Sequence, residues 1–338
     1  MARQQGWFAL ILALAISAGF VCATTPLNLG LDLRGGSQLR LEVQPAGEIT
    51  RVKSEQLEAV KAVLDRRVNG LGVAESTLQT IGDDQLVLQL PGVQETSRAA
   101  KVLGETALLE FRVQKPGIEE QLRNLQRLKL KVESIIKLKQ ERGKSGESQA
   151  EDETDFEQLA EAQKDFGLQG TAGSELEQLE QLEEEVSVKI AELFDPTSLT
   201  GKDLVTAGRQ QKNVSESWEV TLNFNRDGAD KFADLTKSIA GTRRQLGIVL
   251  DGRSISEAIV SEDYKPAGIT GGGATISGDF SAEEARDLEV QLRGGSLPLP
   301  VEIIEVQTIG PTLGAENIRR SLIAALSGLA LVAIFMVI

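Results

Sequence analysis

The chain has 338 residues, with 36 Lys and Arg against 50 Asp and Glu, a net charge of −14, no histidine and one cysteine. The absence of imidazole excludes histidine metal ligands, histidine acid–base groups and most hydrolase triads. The lone Cys22 lies in an apolar run, so internal disulfides and thiolate clusters are excluded and no zinc or other metal is expected.

From Gly6 to Leu31 there is no charged residue, and Trp7 to Ala23 is almost wholly apolar. About 20 apolar residues cross a hydrocarbon core, so residues 1–26 read as a transmembrane helix. Trp7 then sits at the interface, and Arg3 holds the N-terminus inside. A cleaved signal peptide is the alternative, because Val21-Cys22-Ala23 resembles a small-residue cleavage site. Asp32 and Arg34 follow, two apart and on one face of an extended chain, as a structural ion pair at the membrane exit. Gly35 and Gly36 come next, placed for positive φ or tight packing.

Leu39, Leu41 and Val43 alternate with polar residues, the period of a half-buried strand. Leu57, Val60, Leu64 and Val68 mark one helix face, ended by Asn69-Gly70. A hairpin follows over 77–81 and 86–90 around Gly82-Asp83-Asp84. A short helix near Thr96 to Leu103 precedes a strand carrying Leu109, Phe111 and Val113. The order is βαββαβ, a ferredoxin-like plan with two helices on one face of an antiparallel sheet.

Between Ile118 and Leu193 the texture is helical. Leu122, Leu125, Leu128, Val132 and Ile135 recur at helical spacing, as do Leu176, Leu179, Leu182, Val186, Ile190 and Leu193. This predicts two or three amphipathic helices, arranged as a helical hairpin projecting from the sheet, with the leucine stripe as an internal seam rather than a partner site. Residues Glu147 to Glu192 hold 15 acidic residues against Lys164 and Lys189, a local balance of −13. That segment reads as a solvated face. The rest of the chain is near neutral and has no basic stripe, so nucleic acid is not an expected partner.

The second half is again α+β. Trp218 to Phe224 alternates, Ala229, Phe232, Leu235 and Ile239 form a helix face, and Asp251-Gly252 joins a hairpin-like pair. Gly271-Gly272-Gly273 precedes a short strand at 274–277. Ser281 with Glu284 forms a capping box that opens a helix through Leu292, and 301–308 is the last strand. The five residues Leu33 to Ser37 recur as Leu292-Arg293-Gly294-Gly295-Ser296, an echo assigned to similar turn needs rather than to duplication. Ser321 to Ile338 is a second apolar segment, and Arg319 and Arg320 stand before it on the outer side. The chain stops inside that segment, which reads as the front part of a longer polytopic protein.

Candidate chemistry is sparse. Gly143-Lys144-Ser145 lacks the first glycine of a phosphate-binding loop, because Leu138 stands there. No glycine cluster has dinucleotide spacing, and no nucleophile, base and orienting group assemble. Neither a cofactor nor an enzymatic activity is expected.

These motifs carry a resemblance. Leu29-Gly30-Leu31-Asp32-Leu33-Arg34-Gly35-Gly36, then Gly247 to Gly252, Gly271-Gly272-Gly273, and Leu292-Arg293-Gly294-Gly295 through Gly310-Pro311-Thr312-Leu313-Gly314 closely resemble the SecD family of protein-export subunits. The motif positions carried over are Asp32, Arg34, Gly35, Gly36, Asp251, Gly252, Gly271, Gly272, Arg293, Gly310, Pro311 and Gly314.

The resemblance implies an α+β extracytoplasmic domain between two transmembrane helices at 1–26 and 315–338, the second cut short. Its ferredoxin-like base comprises 27–114 and 269–314. An inserted head spans 115–268, with the acidic insert at 118–193. Pro116, Gly117, Pro266 and Gly268 are the candidate hinges. The family implies SecF, the SecYEG channel with its motor ATPase, unfolded preproteins and membrane lipid as partners. It places the chain in the bacterial inner membrane, or in the thylakoid of a photosynthetic source. It implies capture of emerging preprotein driven by the proton gradient, through a carboxylate on a later membrane helix. The alternative is an assembly subunit that docks SecF to the channel.

Overall fold

The computed structural model describes residues 35–47, 51–73, 76–92, 96–145, 174–212, 217–309 and 311–337, with Ser17, Leu31 and Ile49. Asp32, Arg34, Gly310, the expected first membrane helix apart from Ser17, and residues 146–173 of the acidic insert lie outside the described residues.

The fold is α+β. It begins with β1 (Gly36–Val43), α1 (Ser54–Gly70), β2 (Thr77–Ile81), β3 (Gln85–Pro91), α2 (Thr96–Gly104) and β4 (Leu109–Gln114). Two long helices follow, α3 (Glu119–Ser145) and α4 (Glu175–Glu192). Next come β5 (Phe194–Thr200), β6 (Leu204–Gln211), β7 (Trp218–Phe224), α5 (Arg226–Ile239), β8 (Gln245–Leu250) and β9 (Arg253–Ile259). The last described elements are β10 (Gly273–Phe280), α6 (Ala282–Gly294), β11 (Val301–Ile309) and α7 (Pro311–Val337). The chain divides into two compact units. One comprises Met1–Val43, Gly72–Ala100 and Glu302–Ile338, and the other Gln44–Leu71 and Lys101–Val301.

The first unit is built on a four-stranded sheet of order β11-β1-β3-β2. Its register sets Leu39 opposite Leu88 and Leu41 opposite Leu86. These four side chains are fully buried, as the period-2 alternation requires. The opposite face is polar, with Gln89 Nε2 donating to Gln38 Oε1 at 3.1 Å and Arg40 paired to Glu305 at 3.4 Å.

The strand at Leu109–Gln114, read from the sequence as the last of the first block, belongs elsewhere. It pairs with β8, Phe111 opposite Ile248, and with β5. The place beside β1 is taken by β11. Alternation marks a strand's buried face but carries no information about its neighbour.

The second unit holds two sheets, of order β5-β4-β8-β9 and β10-β7-β6. Their shared core contains Phe111, Phe224 and Phe232 with ring centroids 5.2–6.3 Å apart, joined by Leu109, Leu246, Ile248, Leu222 and Ile276. β5 and β6 escape a pattern reading because few of their residues are apolar, and Pro196 sits in β5, which is an edge strand.

The helical hairpin has the internal seam expected of its leucine stripe. Leu122, Leu125 and Val132 pack with Leu179, Leu182, Val186 and Ile190. Its stem lies along the sheet rather than projecting from it. Gln126 Nε2 donates to Gln245 Oε1 at 2.8 Å, and Lys129 Nζ donates to the Ser254 carbonyl at 2.9 Å. Gly247 leaves room for the Phe194 ring, which a Cβ would approach to 2.8 Å.

Among the described residues no helix is long and apolar enough to cross a membrane. In α7 the described apolar side chains beyond Ser321 are exposed, Phe335 at 84%.

Candidate functional site

The glycine motifs of the sequence fall at separate places, and a buried arginine organises one of them. In the first unit, Gly36 opens β1 with φ +138°, where a Cβ would collide with the Leu90 carbonyl. Gly35 O accepts from Gly92 N at 2.9 Å, and Gly35 N donates to the Leu31 carbonyl at 2.9 Å. Only glycine permits both the backbone conformation and the close approach. The buried Ser37 hydroxyl bonds to Thr96, which in turn bonds to Thr308 at 3.3 Å. The first motif therefore meets the strand that leads to the last one. Pro311 is the first residue of α7, where its missing N–H costs nothing, and Gly314 lies within the same helix.

In the second unit, Arg67 is fully buried on α1. Its Nη1 shares two N–H groups among the carbonyls of Val102 at 3.0 Å, Leu103 at 3.2 Å and Glu105. Its Nη2 donates to Thr106 O at 3.2 Å and Gly295 O at 3.0 Å. Val102 and Leu103 end α2, so the guanidinium satisfies carbonyls that the helix leaves orphaned, and brings positive charge to its negative end. The neighbouring Arg66 donates through Nε to Gly294 O at 3.1 Å. Two adjacent arginines thus cap the ends of two helices, α2 and α6. Gly294 must be glycine because a Cβ there would collide with Arg67 Cγ.

Carboxylates surround the cation. Glu105 accepts from Gln291 Nε2 at 2.6 Å and pairs with Arg253 at 3.3 Å. Asp251 accepts from Thr106 Oγ1, from Ala107 N at 2.9 Å and from Leu108 N at 2.8 Å. Asp251 and Gly252 have φ +50° and +80°, as the two-residue turn between β8 and β9 requires. The Asp251 side chain also holds Ala107, whose φ is +53°. Burial pulls the Arg67 pKa down to about 10, against the raising effect of Asp251 and Glu105, so it stays charged at neutral pH.

The motif arginine of this segment, Arg293, faces solvent and pairs with Glu289 at 3.2 Å. Arg67 was not among the residues that sequence reasoning singled out. The signal for Arg67 was present, since a charged residue three positions after Leu64 falls on the apolar stripe of α1. Gly271 and Gly272, with φ +105° and +71°, bring the chain past the start of α5. Gly272 O accepts there from Phe224 N at 2.8 Å. Of the candidate hinges, Gly117 has φ +79° with open space where a Cβ would stand, beside an exposed Pro116. Pro266 is exposed, whereas Gly268 is buried and clamped against the Ala233 carbonyl. No titratable constellation suited to catalysis is found among the described residues, nor any group of His, Cys, Asp or Glu able to hold a metal.

Three family models match this chain. They are the SecD/SecF GG motif over residues 20–46, the N-terminal part of the SecDF P1 domain over 57–116, and the SecDF P1 head subdomain over 174–299. The helix α4, the second helix of the acidic insert, thus falls within the head model. The protein translocase subunit SecD of Prochlorococcus marinus is 61% identical over 337 residues, all of this chain and 68% of that protein. Its counterpart from Synechocystis sp. is 43% identical over 338 residues, 66% of its length. The chain therefore spans about two thirds of these relatives. A crystal structure of SecDF in a super-membrane-facing form superposes with a TM-score of 0.55 at 30% identity, covering 90% of this chain and 35% of that one. A second solved SecDF, described as a membrane component that enhances protein export, gives 0.51 at 28% identity, covering 80% and 99%.

Proposed function

Because the chain belongs to the SecD family of protein translocase subunits, we propose that its extracytoplasmic part captures unfolded preprotein emerging from the Sec channel. As a SecD protein it is a membrane translocase subunit and a transport protein rather than an enzyme. The observation that carries the proposal is the 61% identity to a SecD over the whole chain.

In this reading, residues 1–26 and 315–338 are membrane helices of the bacterial inner membrane. The exposed apolar side chains of α7 support the second. The sheet β11-β1-β3-β2 is a ferredoxin-like base, since α1 joins β1 to β2 and the final strand returns beside the first. The sheets around Phe111, Phe224 and Phe232, with the hairpin α3–α4, form the head. The strand β4 goes with the head, although the 27–114 division would give it to the base. SecF, the SecYEG channel and its motor ATPase are the partners, and the proton gradient drives release.

Extended clients are bound through main-chain hydrogen bonds at a sheet edge or through an apolar groove, modes that tolerate many sequences. Photo-crosslinkers at the exposed Val205 and Ile259, in the full-length protein, should label a precursor arrested in export. The labelling should be lost when the proton gradient is collapsed. Crosslinks only to SecF or to the channel would turn this domain into an assembly scaffold.

A further inference from the structure

Two stretches of backbone cross between α1, α6 and the sheet of β4 and β8: residues 102–108 on the way out and 294–297 on the way back. They touch each other directly, Leu297 N donating to Thr106 O at 2.8 Å. A third stretch, the β8–β9 turn, reaches the same point, with Asp251 N donating to Leu108 O at 3.1 Å. The carbonyls of Val102, Leu103, Glu105, Thr106 and Gly295 all converge on one group, the guanidinium of Arg67.

A buried charge is an inefficient way to fill a core, because an apolar side chain of the same volume serves stability as well or better. What a planar guanidinium supplies, and an apolar side chain cannot, is geometry: it fixes several acceptors from separate segments, here through Nη1 and Nη2, while the buried Nε has no partner among the described residues. The glycines fit that purpose. Gly294 yields its side-chain space to the stem of Arg67, and Gly295, at φ +84°, turns its carbonyl to the guanidinium.

We propose that Arg67 is a positioning residue, a pin that holds the two crossing segments and the Asp251 turn together and so fixes β4 and the β8–β9 hairpin relative to α1 and α6. In the function proposed above, a capturing head then keeps the crossings 104–108 and 294–297 in one fixed arrangement. The assignment of a role in capture rests on the function proposed above; the pin itself does not.

The test is hydrogen–deuterium exchange on the full-length protein in membranes, wild type against Arg67→Lys and Gly294→Ala. Lysine keeps the charge but cannot reach five carbonyls, while the alanine methyl displaces the arginine without removing it. The amides of 105–108 and 295–297 should exchange about ten-fold faster, with β1, β7 and β8 unchanged. Unchanged exchange at the crossings, or a rise shared by every strand, would overturn the pin. Where Arg67→Lys fails to accumulate, Gly294→Ala, which keeps the arginine but displaces its stem, is read by the same pattern. The precursor crosslinks at Val205 and Ile259 are measured on the same variants. Their absence from the wild type, with the exchange pattern as expected, sinks the capture reading and leaves the pin standing. Wild-type crosslinking by an Arg67→Met variant that is equally protected at the crossings would show that no cation is needed, and would overturn the proposal.

Discussion

Arg67 Nη2 donates to the carbonyl of Gly295 at 3.0 Å across 228 positions of sequence. The contact exists only because the residue before Gly295 has no side chain. Gly294→Ala should therefore destabilise the chain by about 2–3 kcal/mol, the cost of overpacking a filled site. Denaturant unfolding checks this. Gly252→Ala, at φ +80° with nothing within 4 Å, should cost only the left-handed strain, about 1–2 kcal/mol.

Gly36 carries a double constraint of φ +138° and blockage by the Leu90 carbonyl, and a Cβ there would stand 2.8 Å from Gly92 N. Any side chain at this position has to lift β1 away from β3. Gly36→Ala should cost about 3 kcal/mol or more. It should also raise amide exchange along Ser37–Leu41 before it does so in the second unit.

The helical hairpin is held by its seam. Ile190 is fully buried and Leu130 is 66% exposed. Ile190→Ala should lose about 2–5 kcal/mol through the missing contacts and the cavity left behind, whereas Leu130→Ala should change stability by less than about 0.5 kcal/mol. Equal losses at the two positions would mean that α3 packs by a different face.

Asp203 connects strand β5 to helix α5. Burial opposes its ionisation, but hydrogen bonds from Lys231 Nζ at 2.7 Å and Thr200 N at 2.9 Å prevail and hold its pKa below the ordinary 3.8. A carboxylate lowered on folding stabilises the native state fully above its unfolded pKa, and that contribution fades as pH falls through the native one. Asp203→Asn should therefore be less stable than wild type at neutral pH, and the gap should close as the pH drops below 3.8. Urea midpoints at pH 7 and pH 3 give the comparison.

Much of this architecture was legible in the sequence. The alternation at Leu39, Leu41 and Val43 marked β1, the Ser281–Glu284 box marked the start of α6, where Glu284 N lies 3.2 Å from Ser281 Oγ, and the leucine spacing of α3 and α4 marked their seam. Strands β5 and β6 were not legible, because Asp195, Pro196, Thr197 and Ser198 carry no apolar rhythm. The site was half legible. Asp251-Gly252 announced a turn, yet nothing local showed that the Asp251 carboxylate would hold the amides of Ala107 and Leu108.

Taken alone, the amino-acid sequence determined the α+β class, the family, and the buried face of most elements. The class and the buried faces follow from spacing along a few turns of chain, a local property, while the family was carried by the resemblance of motifs spread along the whole chain. Only the tertiary structure decided that β11 lies beside β1 while β4 pairs with β8, and that Arg67 is a buried cation. Strand partners and the acceptors of a buried charge are chosen by groups far away in sequence. Their free energy appears only when the separated segments have come together and excluded water.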